Sequence, residues 1–93
     1  MISLENVPIQ NPAVVGRIVS GEAVIVLPKK GQVKVLNEVG ARIWSLIDGV
    51  RTVREIVAII IIEFAVSEEE AKIDTREFLT QLAEREIITF SKE

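Results

Sequence analysis

Acidic side chains are the groups of this chain whose types and spacing most resemble those of a catalytic or metal-binding site. Glu68 to Glu70 form an unbroken run, and Asp74 and Glu77 follow at a separation that makes them neighbours on a helix. Paired carboxylates in a cleft can act as a general acid and base, and a cluster of them can hold a divalent cation. The sequence has no histidine and no cysteine, which removes the commonest metal ligands, imidazole bases and thiol nucleophiles.

The same acidic groups have a simpler interpretation as parts of a helix. Their run lies where a helix is expected to begin, and the helix dipole stabilises negative charge at that end. Asp74 and Glu77 lack a histidine or a third acidic partner nearby, and the chain has no phosphate-binding glycine pattern. We therefore predict that the chain is not an enzyme and holds no cofactor and no metal.

Lys29, Lys30 and Lys34 form the only basic cluster of the sequence. They lie on or beside a turn signal at residues 28–31, so a solvated hairpin tip is one interpretation. The other is that these lysines attract an acidic peptide. The residues alone leave both interpretations open.

Three β-strands are predicted in the first half of the chain, at residues 14–19, 22–27 and 32–36. Turn signals at Ser20-Gly21 and at residues 28–31 separate them. The second strand is apolar on both faces, which is typical of a middle strand that is covered on both sides. The third strand alternates between valines and polar residues.

Capping signals predict three helices after the strands. Asn37 is a good N-cap for a helix that runs to Asp48, and Gly49 fits the position that ends it. Capping boxes begin the next two helices: Thr52 with Glu55, and Ser67 with Glu70. Apolar positions follow helical spacing in both: Val53, Ile56, Val57, Ile60 and Phe64, then Ala71, Thr75, Phe78, Leu79 and Leu82. A short final strand is predicted at residues 87–90.

Residues 56–62 are ambiguous, because four successive isoleucines at 59–62 favour a strand. We predict a helix here, since a capping box precedes the segment and its core positions follow helical spacing.

The 93 residues suffice for one small domain. We expect a loose N-terminal arm over residues 1–12, which contain two prolines, and a single domain over residues 13–93. The longest apolar run has seven residues, whereas a helix that spans a bilayer needs about 20. A chain without cysteine fits the reducing cytosol, so we predict a cytoplasmic protein.

The combined pattern resembles the PqqD family, whose domain is also called the RiPP recognition element. The resemblance runs from about Pro12 to Ile88, and one departure is Glu86, where the family often has glycine. It is carried by Arg17, Gly21-Glu22, Pro28, Gly31, Leu36-Asn37, Gly40-Ala41, Ile43-Trp44, Asp48-Gly49, Thr52-Val53, Glu55-Ile56, Phe64, Ser67, Glu70-Ala71, Asp74 and Phe78-Leu79.

The resemblance implies an α+β, winged-helix-like fold, in which a three-stranded antiparallel sheet is followed by a three-helix bundle. It also implies a non-catalytic adaptor, as in pyrroloquinoline quinone (PQQ) biosynthesis. Such an adaptor binds the leader of a ribosomally made precursor peptide and presents it to a modifying enzyme, often a radical S-adenosylmethionine (SAM) enzyme.

In that family the leader adds as an extra strand beside the third strand, in a groove against the third helix. The predicted strand at residues 32–36 is short and follows a hairpin turn. It is therefore compatible with the edge of a sheet, where backbone groups are free to pair. Carried over by position, the peptide-binding residues are Gln32, Val33, Lys34, Val35, Leu36, Asp74, Phe78 and Gln81. Lys34 would pair with an acidic leader residue.

Two other functions stay open. A winged helix can bind DNA, but residues 67–86 hold three basic side chains against seven acidic ones, and phosphate contact needs a basic face. We therefore predict no nucleic-acid partner and no membrane partner. Ile59, Ile62 and Ile73 fall off the core faces of their helices, so a homodimer or a small dimerisation protein is the third alternative.

Overall fold

The computed structural model describes residues 2–19 and 22–91, apart from the side chains of Ile18, Val19 and Lys29. Its elements are, in chain order, β1 (Val7–Gln10), β2 (Val15–Val19), β3 (Glu22–Leu27), β4 (Gln32–Leu36), α1 (Glu38–Leu46), α2 (Val53–Phe64), α3 (Glu68–Glu84) and β5 (Ile88–Ser91). The predicted α+β architecture, with a three-stranded antiparallel sheet followed by three helices, is confirmed.

Strands β2, β3 and β4 form the antiparallel sheet with β3 in the middle. Valine and isoleucine are frequent in these strands, because β-branched side chains pack well on a pleated surface. A short 3-10 segment over Pro28–Lys30 joins β3 to β4, and Gly31 follows it at φ +63°, which glycine adopts without steric cost. The predicted turn at Ser20-Gly21 lies outside the described residues.

The two faces of this sheet differ. Ala23, Ile25 and Leu27 of β3 are buried on the side where the helices pack. Val24 and Val26 point to the other side and are only half-buried. The prediction that both faces of this strand are covered is therefore wrong for the described part of the chain.

Helix α1 begins at its predicted cap, because the side chain of Asn37 accepts a backbone N–H of the first turn. It ends at Leu46, two residues before the predicted end at Asp48. The Asp48 carboxylate instead accepts the N–H groups of residues 50 and 51, and these bonds, the one from residue 51 first, lower the pKa of Asp48. Gly49, predicted to end the helix, lies in the loop that this side chain organises.

The isoleucine-rich segment is helical, as predicted, and lies in α2. Thr52 and Glu55 form the complete capping box: the Thr52 hydroxyl accepts the N–H of Glu55 at 3.1 Å, and the Glu55 carboxylate accepts the N–H of Thr52 at 2.9 Å. In α3 the Ser67 hydroxyl accepts the N–H of Glu70 at 3.1 Å. The structure records no return bond from the Glu70 side chain within the described residues, so that box is half-formed.

The predicted apolar faces of α2 and α3 meet in the core with the covered face of the sheet. Buried there are Val53, Ile56, Val57 and Ile60 of α2, and Ala71, Thr75, Leu79 and Leu82 of α3, while Phe64 and Phe78 are half-buried. Within residues 2–19 and 22–91, no helix combines the length and apolar character needed to cross a membrane.

The N-terminal segment is docked, so the prediction of a loose arm is wrong for residues 2–10. Strand β1 pairs antiparallel with β5, with Val7 opposite Ser91 and Gln10 opposite Ile88. The carbonyls of Leu4 and Asn6 accept the first N–H groups of α2 at 2.9 Å each. The division of the chain at residue 12 stays a prediction.

The turn from α3 into β5 places Glu86 in the left-handed region, at φ +63°. The N–H of Glu86 donates to the carbonyl of Ala83 and the N–H of Ile87 to that of Leu82, which is a Schellman ending of the helix. Glycine is the residue that this position favours. Glu86 therefore adopts the backbone conformation that glycine would have here, at the cost of steric strain. Its carboxylate pairs with Lys30.

Glu86→Gly should be more stable than Glu86→Ala. Both changes remove the pair with Lys30, so the difference between them isolates the backbone. Alanine keeps the left-handed strain of about 1–2 kcal/mol and glycine relieves it, although glycine also costs up to about 1 kcal/mol of chain entropy. We expect the glycine variant to melt about 4–8 °C higher in a thermal scan. Equal melting temperatures would show that the strain at residue 86 is no larger than the entropy cost of glycine.

Candidate functional site

The candidate site begins at β4, which is an edge strand. In the described sheet order β2-β3-β4, one side of β4 pairs with β3 and no described strand pairs with the other. An edge of this kind presents unpaired N–H and C=O groups that can take a further strand.

The predicted site residues on β4 divide between the two faces of the sheet. Gln32, Lys34 and Leu36 lie opposite Leu27, Ile25 and Ala23, on the helix side. Val33 and Val35 point to the opposite face and are 61% and 58% exposed. The side chains of Lys34 and Val35, both carried over from the resemblance as peptide-binding residues, therefore lie on opposite faces of the sheet. Leu36 is buried in the core, so it can offer a peptide only its backbone.

A groove of about 310 Å³ lies between α1 and α3, beginning where β4 ends. It brings together the three predicted site residues of α3, namely Asp74, Phe78 and Gln81. Its other lining residues were not predicted as site residues: Asn37, Val39, Gly40, Ile43 and Glu77. The signal that could have found the opposite wall is Gly40, because a glycine inside a helix often has a packing reason.

Gly40 leaves room on α1 for the Phe78 ring of α3 at this groove. A β-carbon built on Gly40 would lie 3.2 Å from Cε1 of the Phe78 ring and 3.2 Å from Oδ1 of Asn37. Both distances are shorter than an ordinary contact, so the ring fills the space that a side chain would need. The groove thus has an apolar floor formed by Gly40, Ile43 and the Phe78 ring.

The walls of the groove carry negative charge. Asp74 and Glu77 line it, and neither forms an ion pair within the described residues. The structure shows no group of three or more metal-ligating side chains among residues 2–19 and 22–91. The arrangement can hold an apolar side chain above the Phe78 ring and a cation beside the two carboxylates.

The predicted basic cluster is not one surface. Lys30 pairs with Glu86, and that hydrogen bond lowers the pKa of the Glu86 carboxyl. Lys34 forms no ion pair within the described residues, and the side chain of Lys29 lies outside them. Of the cluster, Lys34 is the cation that the structure leaves available on the helix side of β4.

The three isoleucines predicted to lie off the core differ from one another. Ile62 and Ile73 are 81% and 56% exposed, as expected. Ile59 is half-buried and packs against the core, so the prediction that it forms part of an exposed contact is wrong. Self-association stays a prediction, and it now depends on Ile62 and Ile73.

Comparison with known proteins supplies the family. The family described as coenzyme PQQ synthesis protein D (PqqD) matches residues 22–88, so the match begins ten residues after the predicted start at Pro12. No curated protein matches the chain.

Two solved structures share the fold. TbiB1, in complex with the TbiA(beta) leader peptide, is 32% identical, with a TM-score of 0.81 over 91% of this chain and 99% of its own. A lasso peptide synthetase B1 complexed with the leader peptide is 17% identical, with a TM-score of 0.81 over 89% of this chain and 98% of its own, and supports the fold alone. Since the family match covers well over half of the sequence, the chain belongs to the PqqD family, the RiPP recognition elements.

Proposed function

We propose that this chain is a non-catalytic adaptor that binds the leader of a ribosomally made precursor peptide by strand addition to β4. The observation that carries the proposal is the free edge of β4, a strand that ends where the groove between α1 and α3 begins. TbiB1, which shares the fold at 32% identity, is itself in complex with a leader peptide. The proposed contact residues are Gln32, Val33, Lys34, Val35, Leu36, Asp74, Phe78 and Gln81.

In the proposed complex, the backbone and the side chains of the site have different roles. Backbone pairing with β4 supplies affinity for any extended segment, and side-chain pockets supply specificity. Successive leader side chains would point alternately to the helix side and to the valine side of the sheet. On the helix side an acidic leader residue would meet Lys34, and an apolar one would reach the Phe78 ring.

The bound leader would then be presented to a peptide-modifying enzyme, of the radical SAM type in our proposal.

The acidic charge of α3 opposes the alternative function, nucleic-acid binding. Helix α3 would have to act as the recognition helix, and it carries six acidic side chains against two basic ones. Phosphate contacts are the main source of DNA affinity and require the reverse balance.

The proposal is tested with a precursor peptide taken from the gene neighbourhood of this chain. Its leader half and its core half are labelled separately and titrated with the chain in a fluorescence anisotropy assay. We expect saturable binding of the leader half alone, with a scrambled leader as the control. Equal affinity for the leader, core and scrambled peptides would contradict the proposal.

Gly40→Ala should weaken leader binding more than it changes stability. The new β-carbon would push the Phe78 ring out of its place on the groove floor. The gain in helix propensity, about 1 kcal/mol, offsets the strain of that contact. We expect the leader Kd to rise at least about fivefold, equivalent to about 1 kcal/mol, by the same anisotropy assay.

Ser45→Ala, at an exposed position of the same helix, is the matched control and should leave the Kd unchanged. A Gly40→Ala variant with the wild-type Kd would show that the floor of the groove takes no part in binding.

A further inference from the structure

The sheet face opposite the helices carries two rows of side chains that run across all three strands. Strand register places Val15, Val26 and Val33 in one row. The next row holds Arg17, Val24 and Val35. We call these six residues the valine face. Three of its valines are open to solvent, with Val15 41% exposed alongside the two of β4.

This face departs from what a solvated sheet requires. An antiparallel sheet with one face on the core usually has polar residues on the other. Threonine has nearly the shape and strand propensity of valine, so strand formation does not demand five valines here. Ala23 and Ile25 of β3 belong to one core cluster with residues of all three helices, whereas none of the five valines of the valine face belongs to it or packs against it.

The valine face is by itself smaller than a stable protein–protein interface. Three strands about 4.8 Å apart and two rows about 7 Å apart give a patch on the order of 100–200 Å². A stable interface buries roughly 800 Å² on each partner. The patch has the dimensions and composition of the apolar centre of a larger interface, with a partner protein that also covers a neighbouring surface.

The position of the face identifies that protein. Val33 and Val35 lie on β4, whose free edge is the proposed leader site. A leader strand added there would place every second side chain on the same face, where it would extend both rows by one position. A protein that docks on the valine face would therefore touch the bound leader as well.

We infer that the valine face is the docking surface for the peptide-modifying enzyme, which reads the valines and the outward side chains of the leader as one surface. This inference rests on the proposed function. The complementary surface on the enzyme is apolar and carries a carboxylate opposite Arg17, which is the one charge in the two rows and forms no ion pair within the described residues. The leader-loaded chain should bind the enzyme more tightly than the free chain does.

The test uses Val15, which lies on β2, two strands away from the leader edge. Variants Val15→Thr and Val15→Glu are compared with Ile62→Glu, an exposed apolar position on α2. Leader affinity is measured by anisotropy. Binding of the modifying enzyme from the same gene neighbourhood to the leader-loaded chain is measured by interferometry. Light scattering reports self-association.

We expect Val15→Glu to weaken enzyme binding at least about tenfold, the loss that corresponds to one buried apolar side chain, while the leader Kd stays within about twofold. Val15→Thr should also weaken enzyme binding. Because threonine has nearly the shape of valine, this variant controls for a folding defect. Ile62→Glu should change neither affinity.

Unchanged enzyme binding in both Val15 variants would overturn the inference. So would a dimer of the wild type that Val15→Glu dissociates while enzyme binding persists, since a second copy would then be the occupant. A loss of leader binding in the folded Val15→Thr variant would place Val15 in the leader site and also overturn it. A wild type that binds no leader at all would instead contradict the proposed function.

Discussion

Leu79→Ala is expected to remove a large share of the stability of this domain. Leu79 lies on α3, is completely buried and belongs to the core cluster that joins the helices to the sheet. A buried leucine cut back to alanine costs about 2–5 kcal/mol, because transfer free energy is lost and a cavity remains. Domains of this size have about 5–14 kcal/mol in total, at about 0.05–0.15 kcal/mol per residue. Urea denaturation followed by circular dichroism measures the loss.

Ile73→Ala on the same helix is the matched control for that loss. Ile73 is more than half exposed, so its removal leaves no cavity, and surface changes of this kind stay within about 0.5 kcal/mol. Similar losses from Leu79→Ala and Ile73→Ala would contradict the assignment of the core face of α3.

Val35→Pro is expected to abolish leader binding, which is the largest effect on function that the structure predicts. Proline has no N–H to donate, and its ring blocks the approach of another strand. Since strand addition depends on the backbone of β4, we expect the leader Kd to rise at least about tenfold by anisotropy. Polar or charged substitutions of the same side chain should act less, because Val35 points away from the groove.

A second proline separates binding from folding. Successive residues of a strand turn their N–H groups to opposite edges, so of Lys34→Pro and Val35→Pro one interrupts the ladder with β3 and the other the free edge. We expect one variant to keep the circular dichroism spectrum of the wild type and to lose leader binding. If the variant that keeps the wild-type fold also binds the leader at wild-type affinity, strand addition at β4 is ruled out.

The elements that the sequence predicts well are those whose signals are local. The cap at Asn37, the capping box of Thr52 with Glu55 and the alternation along β4 each depend on residues a few positions apart. The isoleucine run was also predicted as a helix, because a cap and a helical face outweigh strand propensity over a few residues.

The missed features are those that depend on contacts between distant parts of the chain. Strand β1 exists because it pairs with β5 at the other end of the sequence, and no local signal encodes that register. Helix α1 ends early because the Asp48 carboxylate accepts the N–H groups of residues 50 and 51 and holds them in a loop. The helical spacing of the sequence does not reveal these bonds. Ile59 is half-buried because the core extends around α2 beyond the face that periodicity defines.

In the candidate site, too, local features are predicted well and contacts between distant residues are missed. An edge strand beside the third helix was expected from the family resemblance, but resemblance by position does not show which way a side chain points. Strand alternation settles this for Lys34 and Val35, which lie on opposite faces. The wall formed by α1 was missed because it depends on the close approach of Gly40 to the Phe78 ring.

The measurement that tests strand addition most directly is a titration of isotope-labelled chain with the leader peptide, followed through its backbone amide signals. We predict the largest shifts along Gln32–Leu36 and in residues 74–82 of α3, with slowed hydrogen exchange at the outward-facing amides of β4. Residues of the opposite edge, Val15–Val19, should shift little. Shifts confined to β2 or to the outer face of α2, with β4 unchanged, would contradict the proposal that the leader adds to this sheet as its fourth strand.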